Sequence, residues 1–303
     1  MVPPAMDTPL ARTLPRDESL ERAGVAAAAP AGAPPALPPR EIRVGPAEVR
    51  EDRPLSIPSL ALRMTFGVAV YAVCAVVVLA ALLLCLPSRR ARIKIGNVTG
   101  HFTGHLAVWL SGSSYVVKGA EHLDPARPAI YVGNHTSILD IVLGIWLAPT
   151  GTVAVAKKEI VLYPFFGQYY WLAGHVRIDR KNARRALMSL RALAALLKRH
   201  ALSVFIWPEG HRSEDGRLRA FKRGAFHLAL ETRLPIVPMV IAGSHRAWPL
   251  GSARLVRTQV QITCLPPIDT RDWTSETLGS HVREIEAMFA NTLPESQRPL
   301  KVA

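Results

Sequence analysis

The chain is poor in cysteine and in acidic and aromatic residues. Cys74, Cys85 and Cys264 are the only cysteines in 303 residues. Three unclustered cysteines build neither a disulfide framework nor a zinc ribbon, so they leave the redox compartment open with a lean towards a reducing one. Asp and Glu number 23 against 37 Lys and Arg, a formal net charge of +14. That balance points to an anionic partner: nucleic acid, an acidic membrane surface or a phosphorylated substrate. No zinc-finger or RNA-recognition signature accompanies the charge, which argues against nucleic acid. His-Glu-x-x-His is absent, and His101-x3-His105 sits in a Thr103-Gly104 context that disfavours a helix. A metal site is therefore not expected. Residues 1–60 lack Phe, Tyr and Trp but hold 12 of the 25 prolines. Such a segment buries too little apolar surface to offset chain entropy, and is expected to be a disordered Pro/Ala-rich arm. It is not a signal peptide, because no apolar stretch follows the start and Asp7, Asp17 and Glu18 interrupt it. An internal translation start at Met64 is the alternative.

Hydrophobic residues are 49% of the chain, enough for a sizeable core. They are concentrated first in Met64–Leu86, 23 residues without a charge. About 20 apolar residues suffice to cross the hydrocarbon of a bilayer, so this run is expected to be a transmembrane or membrane-embedded helix. The other reading is a buried core helix, but those are seldom apolar on every face for this length. Pro87 ends the run, and Arg89, Arg90, Arg92 and Lys94 follow. This basic flank predicts that the chain beyond it lies on the cytoplasmic side of the inner membrane. Arg50, Arg53 and Arg63 on the other flank weaken the asymmetry.

From residue 95 to 303 the pattern is that of a folded domain. Ala129–Val132, Val153–Ala156, Leu202–Ile206, Ile236–Ile241 and Val260–Thr263 are apolar runs of strand length. Between them Asn182–Arg199 places Ala183, Ala186, Leu187, Leu190, Leu193, Ala194 and Leu197 on one helical face and Arg184, Arg185, Arg191, Lys198 and Arg199 on the other. That basic face suits solvent, anionic lipid or an acidic acyl carrier protein. Strands alternating with helices predict an α/β domain with a mixed, largely parallel sheet, its chemistry at strand ends. Six aromatics fall within Tyr163–Trp171. They fit either a membrane-interface belt or an aromatic core cluster.

Three polar turns stand at predicted strand ends. In Tyr131-Val-Gly-Asn-His-Thr-Ser-Ile-Leu-Asp140 a strand is expected to end near Gly133 and a helix to start at Ser137. His135 then lies in the turn and Asp140 in the first helical turn, within reach of a hydrogen bond. A carboxylate there fixes the imidazole tautomer and balances its charged form, as a general base requires. Ser137-x-x-Asp140 is equally a helix-capping box. In Phe205-Ile-Trp-Pro-Glu-Gly-His-Arg-Ser213 the turn carries Glu209, Gly210 and Arg212. Gly210 permits close approach of backbone to a ligand, and Arg212 suits forked contact with phosphate. A solvated Glu–Arg loop is the plain alternative. Gly174-His-Val-Arg-Ile-Asp-Arg180 adds another candidate anion ligand, Arg180.

In order and spacing, Asn134-His135-x4-Asp140, Gly174-x3-Ile-Asp-Arg180, Trp207-Pro-Glu-Gly-His-Arg-Ser213 and Leu234-Pro-Ile-Val-Pro238 resemble the blocks of the glycerolipid acyltransferases. The likeness is greatest to bacterial 1-acylglycerol-3-phosphate acyltransferases, and covers residues 115–268. The resemblance implies an α/β acyltransferase domain at a membrane. It implies His135 as base with Asp140 as its partner, and Arg180, Glu209, Gly210 and Arg212 at the acceptor and its phosphate. It also implies an acyl-CoA or acyl-carrier-protein donor, a lysophospholipid acceptor, and no cofactor or metal. Trp207 and His211 stand where the family commonly has Phe and Thr. Alternative expectations are the same fold acting on another lysolipid, such as lyso-ornithine lipid, and a membrane-anchored binding module.

Overall fold

The computed structural model describes residues 38–47, 52–162, 166–179, 182–252 and 254–300. The predicted strands and helix form close to where periodicity places them, and further elements join them. In chain order the elements are β1 (Ile42–Val44), β2 (Arg53–Pro54), α1 (Ile57–Leu84), α2 (Arg89–Ser111), β3 (Ser114–Lys118), β4 (Ile130–Gly133) and α3 (Leu139–Leu147). They continue with β5 (Thr152–Lys157), α4 (Phe166–Leu172), β6 (Val176–Ile178), α5 (Ala183–His200), β7 (Ser203–Ile206) and α6 (Gly224–Thr232). The last are β8 (Ile236–Ala242), α7 (Ser244–Ala247), β9 (Val256–Arg257), β10 (Gln259–Cys264) and α8 (Leu278–Thr292).

Eight strands form one sheet in the order β1-β3-β10-β8-β4-β7-β5-β6. β8, β4, β7, β5 and β6 are mutually parallel, and β3 is parallel to β10. Antiparallel joins occur at β1–β3 and β10–β8. Both faces are covered, as near-continuous apolar strands require. Ile130, Val132, Val204, Ile236 and Val240 meet Leu193, Leu197, Phe226, Ile285 and Phe289 from α5, α6 and α8. Tyr131, Phe205, Val237, Met239 and Ile241 face Val108, Leu139, Leu143 and Trp146 from α2 and α3.

Two expectations change. The stretch read as an arm contains order: β1 pairs with β3, and β2 pairs antiparallel with β9. Composition registered its prolines but not the strand partners, which lie far along the chain. Residues 1–37 and 48–51 of that stretch lie outside the described residues. Next, His101 and His105 do lie on a helix. Gly100 and Gly104 are spaced one turn apart and let α2 approach α3 closely. A Cβ at Gly104 would stand 2.9 Å from the Trp146 backbone nitrogen, and one at Gly100 2.8 Å from Ile145 Cγ2. Tertiary contact thus overrides the low helix propensity of glycine. His101 Nδ1 meets the Trp146 carbonyl, and the His105 ring packs edge-on against Trp146.

The apolar run forms the expected helix, as one arm of a helical hairpin. α1 begins at Ile57, seven residues before the run, and α2 returns alongside it. Arg63 Nη1 donates to the Trp109 and Leu110 carbonyls, and Tyr71 Oη donates to the Thr103 carbonyl at 2.6 Å. Only 17% of the most apolar stretch of α1 is buried. Phe66, Val68, Val73, Val76, Val77, Leu83 and Leu84 are exposed. α1 is long and apolar enough to cross a membrane. Two of the flanking arginines face the domain: Arg89 Nε donates to the Gly174 carbonyl and Arg92 Nη1 to the Leu172 carbonyl. Of the aromatic cluster, Tyr170 is buried and donates to the Ala154 and Val176 carbonyls, whereas Trp171 is exposed. Tyr163 and Phe165 lie outside the described residues.

Candidate active site

β4 and β7 are parallel neighbours, so the turns leaving their carboxyl ends meet. The first turn carries His135 and the second Glu209. Helix α3 starts at Leu139, two residues later than the capping pattern suggests. Ser137 Oγ accepts from the Leu139 amide and donates to the Trp248 carbonyl. Asp140 reaches back instead. Its Oδ2 accepts the Thr136 and Ser137 amides at 2.6 and 2.7 Å, and meets His135 Nδ1 at 3.1 Å. Asp140 is fully buried and His135 is 7% exposed. With Nδ1 held by the carboxylate, Nε2 is the nitrogen left for a substrate proton.

The turn is clamped from elsewhere. Glu209 Oε1 accepts the His135 amide at 2.6 Å and Oε2 the Arg219 amide at 3.0 Å. The Ser213 amide donates to the His135 carbonyl at 2.8 Å. Asn134 exchanges two hydrogen bonds with the backbone of Ile241 on β8, at 2.8 and 2.7 Å. Burial pushes the Glu209 carboxyl up to about 7. The negative charge of Asp140 adds to this, while the two amides pull the other way. Glu209 therefore contacts the His135 turn directly.

Gly210 adopts φ +82°, a left-handed conformation suited to glycine. A Cβ there would stand 2.8 Å from Lys222 Nζ. Its amide closes the turn onto the Trp207 carbonyl. Arg212 is half-buried, and its Nη1 is buried without a hydrogen-bond partner among the described residues. A buried, unmatched guanidinium N–H is a place for an anion. Lys222 is a second cation at this turn that sequence reasoning missed. It lies beyond the motif, and the Gly210 turn brings it in. Asp179 closes β6 at the same sheet edge and takes Lys158 Nζ at 2.9 Å. Arg180 lies outside the described residues.

A strand-end His–Asp pair facing a turn with an unmatched arginine is the equipment of a group-transfer enzyme. A family model described as Acyltransferase matches residues 114–242, which spans all of these groups; the chain is an acyltransferase. A 1-acyl-sn-glycerol-3-phosphate acyltransferase of Cocos nucifera is 46% identical over 219 residues, 72% of this chain and 70% of the relative. One from Salmonella typhimurium is 34% identical over 188 residues, 62% of this chain and 74% of the relative. The crystal structure of the 1-acyl-sn-glycerophosphate acyltransferase PlsC from Thermotoga maritima superposes with a TM-score of 0.62 at 28% identity, covering 76% of this chain and 95% of that one. The chain belongs to the 1-acylglycerol-3-phosphate acyltransferase family.

Proposed function

We propose that the protein moves an acyl chain from a thioester, on coenzyme A or acyl carrier protein, to the free hydroxyl of 1-acylglycerol-3-phosphate, making phosphatidic acid. The observation that carries this reading is the buried Asp140–His135 pair beside the unmatched Nη1 of Arg212. His135 Nε2 takes the hydroxyl proton as the oxygen attacks the thioester carbonyl carbon. Asp140 balances the imidazolium that forms. The tetrahedral intermediate then expels the thiolate, which takes the proton back from His135. The acyl group passes directly, with neither an acyl-enzyme nor a cofactor.

Arg212 and Arg180 hold the acceptor phosphate, with Lys222 nearby. Glu209 and Gly210 shape the acceptor side by fixing the His135 turn and the Arg212 turn. The exposed apolar face of α1, with Val98, Phe102 and Trp109 of α2, seats the enzyme in the membrane where both lipids reside, with the domain on the cytoplasmic side. The names of the relatives favour this acceptor over lyso-ornithine lipid.

The test is steady-state kinetics with lysophosphatidate beside a lysolipid lacking the phosphate monoester, each with both thioesters. Wild type should prefer the phosphate. Arg212→Ala should raise the acceptor KM about 10- to 150-fold, the scale of a hydrogen bond to charge worth about 1.5–3 kcal/mol. Arg212→Lys should recover part of it. Equal use of both acceptors, with neither weakened by Arg212→Ala, would reassign the acceptor.

A further inference from the structure

Trp207, where the family commonly has Phe, lies face to face with His135. The ring centroids are 4.6 Å apart and the planes 21° from parallel. The indole also leans on Phe205, with centroids at 4.7 Å. Its room comes from two glycines on other elements. A Cβ at Gly133, the last residue of β4, would stand 2.6 Å from Trp207 Cζ3, and one at Gly144 on α3 would stand 3.2 Å from Cζ2. Any side chain at Gly133 would displace the indole. The stack is thus built by β4, α3 and the turn after β7 together.

We infer that Trp207 is a positioning residue of the transfer reaction: its indole face holds the His135 ring for attack and stabilises the imidazolium formed there. An aromatic face carries negative charge density and attracts a cation lying over it, most strongly for Trp and where water is excluded. His135 is neutral before the attack and charged during it, so the attraction grows towards the transition state and acts on kcat rather than on acceptor binding. Asp140 fixes the ring through Nδ1 at one edge and Trp207 fixes its plane. Two rotations are thereby restricted.

This inference rests on His135 as base, and the two fail differently. Trp207→Leu should lower kcat about 3- to 30-fold with the acceptor KM changed less than about 3-fold, the range of a cation–π contact. Trp207→Phe should recover most of the loss. The acid limb of kcat/KM should move to lower pH in Trp207→Leu. Among the described residues, Asp140 from α3 bonds the ring, Glu209 from the turn after β7, which also carries Arg212, holds the His135 amide, and His245 from α7 interacts with the Asp140 charge. Repeating the profile in a Glu209→Gln background removes the one whose carboxyl sits near neutral pH.

A second measurement needs no turnover. Imidazolium quenches indole emission, so the fluorescence difference between wild type and Trp207→Phe should titrate with pH, and His135→Gln should abolish that titration. An unmoved acid limb or a flat fluorescence difference overturns the stack as a positioning device, even if His135→Ala is inactive. Inactivity of Trp207→Leu without rescue by Phe also overturns it.

Discussion

Replacing Glu209 with Gln tests how the His135 turn is held. The carboxylate accepts two backbone amides, from His135 at 2.6 Å and Arg219 at 3.0 Å. A carboxamide has one oxygen, so one buried amide loses its acceptor and faces an NH2 group instead. That costs about 1–3 kcal/mol, or about 5- to 150-fold if it falls wholly on catalytic geometry. The pH dependence runs against habit for a carboxylate. The Glu209 carboxyl is pushed up to about 7 from an ordinary 4.5, chiefly by burial. Between those values the folded state binds more protons than the unfolded one, so its stability falls as pH rises. That stabilisation is about 3 kcal/mol, present in full below about pH 4.5 and lost above about pH 7. Gln does not titrate. Expressed against wild type, the stability of Glu209→Gln should rise by about 3 kcal/mol between pH 4.5 and pH 8, because only the wild type loses stability over that range. Denaturant melts of the detergent-solubilised proteins at both pH values read this directly. A mutational difference independent of pH would show that Glu209 is an ordinary, low-lying carboxylate, and the reasoning about its burial would fail. Activity gives the complementary readout: Glu209→Gln should lower kcat at pH 8, where the wild-type carboxylate is charged and both amides are matched.

The remaining expectations are simpler. His135→Ala should reduce turnover by about 10² or more in folded protein, the scale of losing a general base, and Asp140→Asn should be similarly severe; near-normal activity in either sinks the pair. Gly104→Val should lower the melting temperature, because its Cβ would press on the Trp146 backbone 2.9 Å away; an unchanged melt would mean that α2 and α3 part without cost. The wild-type protein should resist extraction by high salt and carbonate and require detergent, since α1 presents an apolar outer surface; release by salt alone would place that surface inside an assembly.

Where interactions are local in the chain, the sequence alone determined the outcome. His135 and Asp140 are five residues apart, one strand end and one helical turn, so their meeting needs only that β4 end and α3 begin. The five apolar strands and the amphipathic α5 follow from periods of 2 and 3.6 that side-chain direction imposes. Asn182 caps α5 by accepting the Arg185 amide, again a local matter. The apolar body of α1 follows from the uncharged run that starts at Met64, although the helix begins earlier, at Ile57. What depended on distant partners was decided by the tertiary structure. Glu209 and His135 are 74 residues apart, and Asn134 and Ile241 are 107 apart. Only the β7–β4–β8 strand order brings those turns together, which gives Glu209 two backbone amides and Trp207 a face of the imidazole. The same dependence on packing put His101 and His105 on a helix, where glycine matters for close approach rather than propensity. It also made Arg89 and Arg92 donors that pin α2 to carbonyls on the domain. Local pattern specifies elements and neighbouring side chains; which strand ends share an edge is set by burial of both sheet faces at once, and that edge is where the candidate chemistry assembles.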